Sequence, residues 1–93
     1  THRLLTAVCI AGPEKPIVLI LNETRLTMHQ LSADEALRYV ERDQPLDCAG
    51  SYKIESLGVS LFKKIETEDF TAIMGLPLIQ VSQSLRELGV RIP

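Results

Sequence analysis

The sequence is poor in cysteine, in long apolar runs and in excess charge of either sign, and each shortage closes off a class of protein. Two cysteines, Cys9 and Cys48, are too few for a disulfide framework, and neither has a partner at metal-ligand spacing. Apolar runs such as Ile17 to Leu21 have the length of a strand, far below the ~20 residues that cross a bilayer. Ten Lys and Arg face twelve Asp and Glu, a formal net charge of −2, so the basic footprint of a duplex nucleic-acid binder is missing. There is no glycine-rich phosphate loop and no arrangement that reads as Ser-His-Asp or Cys-His catalysis. An initiator Met and a signal peptide are also lacking: the chain opens Thr1-His2-Arg3 and runs straight into apolar sequence, as if from the middle of a longer protein. With few cysteines and no leader, a reduced, cytoplasmic setting is expected.

What is present is the composition of a folded protein. Across 93 residues, 45% of side chains are hydrophobic and 24% charged. That length supports one domain at most, with a thin core, because a chain this small buries only ~60–65% of its unfolded surface. Arg3 to Ala11 is nearly continuous apolar sequence and predicts a strand buried on both faces. Gly12-Pro13-Glu14-Lys15-Pro16 predicts a hairpin loop of about five residues. A second strand follows from Ile17 to His29, its latter part alternating, with Thr24, Leu26 and Met28 opposite Glu23, Arg25 and Thr27. Ser32-Ala33-Asp34-Glu35 has the form of a capping box. The helix it starts should turn Ala33, Ala36, Leu37 and Val40 to the core and end before Pro45. Tyr52 to Glu55 reads as a short extended piece, and Val59–Ile65 and Phe70–Met74 as strands with Glu66, Glu68 and Asp69 at a solvated tip between them. Pro77 suits the first turn of a last helix with Leu78, Val81, Leu85 and Leu88 on one face and Gly89 as terminator. The order β-β-α-β-β-α predicts a mixed, largely antiparallel α/β arrangement.

His2 and His29 lack neighbours at ligand spacing and read as strand or surface residues, and Cys9 as a small core residue. The segment from Asp43 to Gly58 offers more. It holds a turn at Ala49-Gly50, then Lys53 and Glu55 two residues apart, which share a face if the chain is extended. A cation and a carboxylate beside a close-approach glycine suit a nucleotide, one group for phosphate and the other for the base edge. The alternative on the same residues is a surface ion pair worth less than ~1 kcal/mol.

The same segment carries a resemblance. Asp43-Gln44-Pro45-Leu46-Asp47-Cys48-Ala49-Gly50-Ser51-Tyr52-Lys53-Ile54-Glu55 resembles the block "(G/D)-x-P-L-D-K-A-G-x-Y-x-I-Q" of the Maf family, nucleoside triphosphate pyrophosphatases first described as septum-formation inhibitors. Thr1 to Val8 is similar to the family's "T-H-x-V-x-T-G-V", with Ala7 in place of Gly. Leu31 to Val40 is similar to "L-S-x-x-E-I-x-x-Y", and Ile73 to Leu78 to "V-V-G-L-P-L". The blocks keep the family's order and correspond to its C-terminal half alone. The resemblance therefore implies that residues 1–93 are the C-terminal part of a single Maf-like domain. That domain would be an inosine-triphosphatase-like elongated, twisted mixed sheet with flanking helices. The family's Ser/Arg phosphate motif, metal-binding Glu and general-base Asp have no counterpart here, so neither catalytic nor metal-binding residues are expected in these residues, and the piece alone should be inactive.

Cys48 stands where the family usually has Lys, and Glu55 where it has Gln. With Ser51 and Lys53 nearby, this combination resembles the subgroup that hydrolyses 7-methyl-GTP rather than dTTP or UTP. The resemblance thus implies Glu55 as the specificity residue, Cys48, Gly50, Ser51 and Lys53 as substrate contacts, and Mg²⁺ or Mn²⁺ as cofactor of the complete enzyme. It implies a nucleoside triphosphate as partner and a possible homodimer, while charge and run length already argue against duplex nucleic acid and a membrane. The other readings are a dTTP/UTP pyrophosphatase and a non-catalytic septum regulator acting by protein contact. The chemistry of the base favours the first. Guanine presents N1–H and N2–H₂ donors on one edge, which a carboxylate accepts together, and N7 methylation adds positive charge. Cys48 in place of Lys removes a cation that would oppose such a base.

Overall fold

The structure, a computed structural model, describes residues 1–93. Three strands form one antiparallel sheet in the order β1-β2-β3: β1 (His2–Gly12), β2 (Lys15–Met28) and β3 (Phe62–Glu66). Two helices, α1 (Ala33–Asp43) and α2 (Leu78–Glu87), and three short 3₁₀ segments at Ala49–Ser51, Leu57–Leu61 and Phe70–Met74 complete the chain. The mixed α/β class expected from the sequence is therefore present. No helix is long and apolar enough to cross a membrane.

The chain resolves into two compact units. One comprises Thr1–His2 with Leu26–Ile65, the other Arg3–Arg25 with Glu66–Pro93.

In the Arg3–Arg25 and Glu66–Pro93 unit, β1 and β2 meet through a turn of two residues, Pro13 and Glu14, not five. Glu14 takes up the left-handed region at φ 60°, which closes the turn tightly enough for Lys15 and Pro16 to join β2. Proline is tolerated there because the start of a strand spares its missing N–H. The strands alternate instead of burying both faces. Leu4, Thr6, Val8 and Ile10 are half-buried and Ile20, Asn22 and Thr24 buried, whereas Leu19 is 78% exposed and Leu21 70%. Only one face of this part of the sheet is covered, so the apolar residues of the other lie in solvent. Cys9 belongs to that exposed face and is not a core residue.

Phe70–Met74 is a 3₁₀ turn rather than a strand, and Asp69 is the reason. Its carboxylate is fully buried and accepts from the Thr71 N–H at 3.1 Å, the Gln80 N–H at 2.9 Å and the Thr71 hydroxyl. Burial pushes this carboxyl up, but the Thr71 hydroxyl and the N–H groups of Gln80, Thr71 and Ile79 outweigh it and hold the group below the usual carboxylate range. A residue expected at a solvated tip instead caps the 3₁₀ turn and ties it to the first turn of α2. Asn22 donates to Gln80 at 3.0 Å, bringing β2 to the same helix. Pro77 immediately precedes α2, whose end is a Schellman closure: Val90 N–H bonds Leu85 C=O at 3.0 Å and Gly89 N–H bonds Arg86 C=O at 3.0 Å. Gly89 adopts φ 93° there, and the Lys15 ammonium donates to the Leu88 carbonyl at 2.7 Å, a cation at the negative end of the helix. Val81, Leu85 and Leu88 are half-buried, while Leu78 is exposed.

In the other unit the capping box forms as the sequence implies. Glu35 N–H donates to the Ser32 hydroxyl at 3.2 Å, and Ser32 N–H to the Glu35 carboxylate at 3.1 Å. Helix α1 ends at Asp43 through a left-handed Gln44 at φ 44°, ahead of a buried Pro45. The buried face differs from the expected one. Tyr39 alone is buried, while Leu37 is 57% exposed and Val40 40%. Tyr39 wins because the segment that follows packs against its side of the helix and supplies its phenol with a hydrogen-bond partner, described below. Val59–Leu61 belongs to a 3₁₀ segment and β3 starts only at Phe62. With Leu26, Leu61, Phe62, Pro45 and Tyr39 buried, the core of this unit lies beneath residues 45–62.

Candidate functional site

The segment after α1 is held in place by backbone bonds to side chains of the helix. Lys53 N–H donates to the Tyr39 phenol oxygen at 2.7 Å. Asp43 accepts from the Ser56 hydroxyl at 2.9 Å through one carboxylate oxygen and from Leu57 N–H at 3.0 Å through the other. Lys53 C=O accepts from Ser56 N–H at 3.1 Å and Gly58 N–H at 2.9 Å, which makes residues 54–56 a turn and not an extended piece. Lys53 and Glu55 therefore do not share a strand face, and no ion pair joins them: Lys53 is half-buried at the entry to the turn and Glu55 exposed within it.

The turn closes because residue 58 is glycine. A Cβ there would lie 2.2 Å from the Lys53 carbonyl oxygen and 2.6 Å from its carbon. Gly50 has a related part upstream. It sits at φ 76°, followed by Ser51 at φ 60°, and a Cβ on it would come within 2.9 Å of the Tyr52 ring. The two left-handed residues turn the chain so that Tyr52 packs edge-on to Phe62 at 5.0 Å and to His2 at 6.0 Å, its hydroxyl 3.4 Å from His2 Nε2. His2 is thus a packed strand residue. Burial raises the Tyr52 phenol above its ordinary value.

Cys48 is half-buried, its thiol 3.7 Å from an Asp47 carboxylate oxygen. Desolvation and then the Asp47 carboxylate push the thiol up. The Lys53 charge acts against them and the Glu55 charge with them. Cys48, Lys53 and Glu55 thus lie on one continuous segment, with Gly50 and the exposed Ser51 on the turn between Cys48 and Lys53. A thiol raised in this way stays protonated near neutral pH and is no nucleophile. The arrangement is an exposed carboxylate on a braced turn, with a half-buried lysine two residues before it and a half-buried, protonated thiol upstream. No three His, Cys, Asp or Glu side chains converge, so these residues offer no site that would hold Mg²⁺ or Mn²⁺ by protein ligands alone.

The structural roles of three residues that build the site escape a reading of the sequence alone. Tyr39 lies off the helix's apolar stripe, and Asp43 looks like the polar end of a helix. Gly58 is the one with a visible signal, a glycine beside Ser56 and Leu57 in a stretch otherwise read as entering a strand.

The sequence matches the family described as Maf-like protein over residues 1–88. It is 49% identical over 90 residues to a Bdellovibrio bacteriovorus protein named 7-methyl-GTP pyrophosphatase, covering 97% of this chain and 47% of that one. A Xanthomonas axonopodis pv. citri protein of the same name is 44% identical over 93 residues, covering 100% of this chain and 48% of the relative. A Pseudomonas aeruginosa protein, again so named, is 55% identical over 69 residues, 72% of this chain and 36% of its own length. The chain thus spans about half the length of the first two relatives, 47% and 48%. With the family match running from the first strand through the last helix, the chain belongs to the Maf family.

Proposed function

We propose that these residues are the base-reading part of a nucleoside triphosphate pyrophosphatase acting on 7-methyl-GTP, within a polypeptide of the relatives' length. The observation that carries the reading is Glu55, an exposed carboxylate on a turn whose backbone is fixed on both sides, at Lys53 N–H and at Ser56 and Leu57. Its two oxygens suit the adjacent N1–H and N2–H₂ donors of guanine, and its charge suits a base made cationic by N7 methylation. Cys48, kept neutral by burial and Asp47, adds no opposing cation. The names of the relatives agree with this substrate. Gly50 and Ser51 precede the base-reading turn and Lys53 opens it, Lys53 as the cation for phosphate.

In the reaction water adds across the bond between the α- and β-phosphates, giving the nucleoside monophosphate and pyrophosphate. The part of these 93 residues is to hold and select the base. The phosphate, metal and general-base chemistry belongs to residues outside them.

The test is a panel of 7-methyl-GTP, GTP, dTTP and UTP with pyrophosphate release as readout, run on the full-length polypeptide and on the 93-residue chain. The proposal expects 7-methyl-GTP to rank first for the former and no turnover by the latter. A preference for dTTP or UTP contradicts the substrate, and comparable turnover by the short chain contradicts the division of labour.

A further inference from the structure

Glu55 forms no side-chain hydrogen bond of its own within the protein, so its position is set by the backbone that carries it. That backbone is fixed from one helix. Tyr39 and Asp43 stand four residues apart, hence on one face of α1. Tyr39 holds the chain two residues before Glu55, at the Lys53 amide 2.7 Å away. Asp43 holds it one and two residues after, at the Ser56 hydroxyl, 2.9 Å, and the Leu57 amide, 3.0 Å. Tyr39 is the one residue of α1 that is buried, at the expense of the more apolar Leu37 and Val40. Packing alone would favour those aliphatic side chains; the phenol oxygen is what meets an amide that would otherwise lack a partner.

We infer that Tyr39 and Asp43 are positioning residues for base selection, a two-point clamp on α1 that sets where the Glu55 carboxylate meets the base. The inference rests on the proposal that Glu55 reads the base. Burial, with the Asp43 carboxylate beside it, raises the Tyr39 phenol, so the clamp keeps its proton through the neutral range. A carboxylate accepting two donors on one base edge is sensitive to displacement, and a shift near 1 Å in a positioned group costs up to about a hundredfold in rate. Loss of either anchor should therefore be felt most by the nucleotide whose base Glu55 contacts, and least by one it does not match.

The experiment compares Tyr39→Phe, Asp43→Asn and the reference Glu55→Gln in the full-length polypeptide, measuring kcat/KM for 7-methyl-GTP and for UTP. Amide exchange at Lys53 is followed in the 93-residue chain and its Tyr39→Phe variant. The clamp predicts that Tyr39→Phe and Asp43→Asn each lower the ratio of 7-methyl-GTP to UTP by about tenfold, and that Tyr39→Phe speeds exchange at Lys53. Equal loss for both nucleotides, the signature of a merely structural role, overturns it, as does unchanged exchange at Lys53. If Tyr39→Phe does not fold, Asp43→Asn carries the same comparison. A ratio shifted by Glu55→Gln but by neither α1 variant overturns the clamp and leaves base reading standing. A ratio unmoved by Glu55→Gln removes base reading, and the clamp with it.

Discussion

Replacing Gly58 by alanine puts one methyl group where the structure has no room for it. The new Cβ would lie 2.2 Å from the Lys53 carbonyl oxygen, 2.6 Å from its carbon and 2.9 Å from the Lys53 nitrogen. All three are backbone atoms, so no side chain can swing aside, and the turn itself must open. Opening it strains the two hydrogen bonds into Lys53 C=O, from Ser56 and Gly58. Overpacking of this kind costs ~1–3 kcal/mol, and each lost hydrogen bond about 1 kcal/mol more. A total of about 3 kcal/mol corresponds to a fall in Tm on the order of 10–20 °C for a domain of this size. Gly12 provides the control, because a Cβ there meets nothing closer than Lys15 Cγ at 4.0 Å. Thermal unfolding followed by circular dichroism should therefore separate Gly58→Ala sharply from Gly12→Ala. A Gly58→Ala Tm within about 2 °C of the parent would refute the close approach on which the geometry of the turn rests.

Asp69→Asn should destabilise the chain by about 1–3 kcal/mol at neutral pH, because its new amide N–H₂ faces donors where the carboxylate accepted from Thr71 and Gln80. The folded carboxyl is held below its ordinary value, so its contribution is complete above the unfolded value and lost as pH falls through the folded one. Denaturant titrations should accordingly show the gap between parent and variant narrowing toward acid, and a gap that widens there would contradict the assignment. The exposed face of β1 and β2, with Leu19 and Leu21 in solvent, should make the isolated chain bind a hydrophobic dye or associate at micromolar concentration. A monomer without dye binding by light scattering and fluorescence would count against that face being open.

The parts of the fold that were legible in the sequence are those governed by local chemistry. Ser32 and Glu35 specify their capping box within four residues, Pro45 limits α1, and Gly89 closes α2. Alternation in β2 correctly separated Thr24 and Leu26 from Glu23 and Arg25. What failed depended on partners distant in sequence. The apolar run in β1 suggested burial on both faces, but burial depends on what lies above the sheet, which a strand cannot encode by itself. Phe70–Met74 is apolar enough for a strand, yet the buried Asp69 carboxylate organises it as a 3₁₀ turn through Thr71 and Gln80. Cys48, Gly50, Ser51, Lys53 and Glu55 can be picked out in the sequence as candidates for a site. Their geometry cannot, because Lys53 and Glu55 are arranged by a turn that depends on Tyr39, Asp43 and Gly58.

The base-reading role of Glu55 is tested most directly by Glu55→Gln in the full-length polypeptide, measured as kcat/KM for 7-methyl-GTP against UTP. The amide loses one accepting contact to the guanine edge and the negative charge toward the methylated base. A charge-assisted hydrogen bond contributes ~1.5–3 kcal/mol, so kcat/KM for 7-methyl-GTP should fall by roughly ten- to a hundredfold. The value for UTP should hold or rise, because the amide can donate to O4 and accept from N3–H. An unchanged ranking of the two nucleotides would contradict the account.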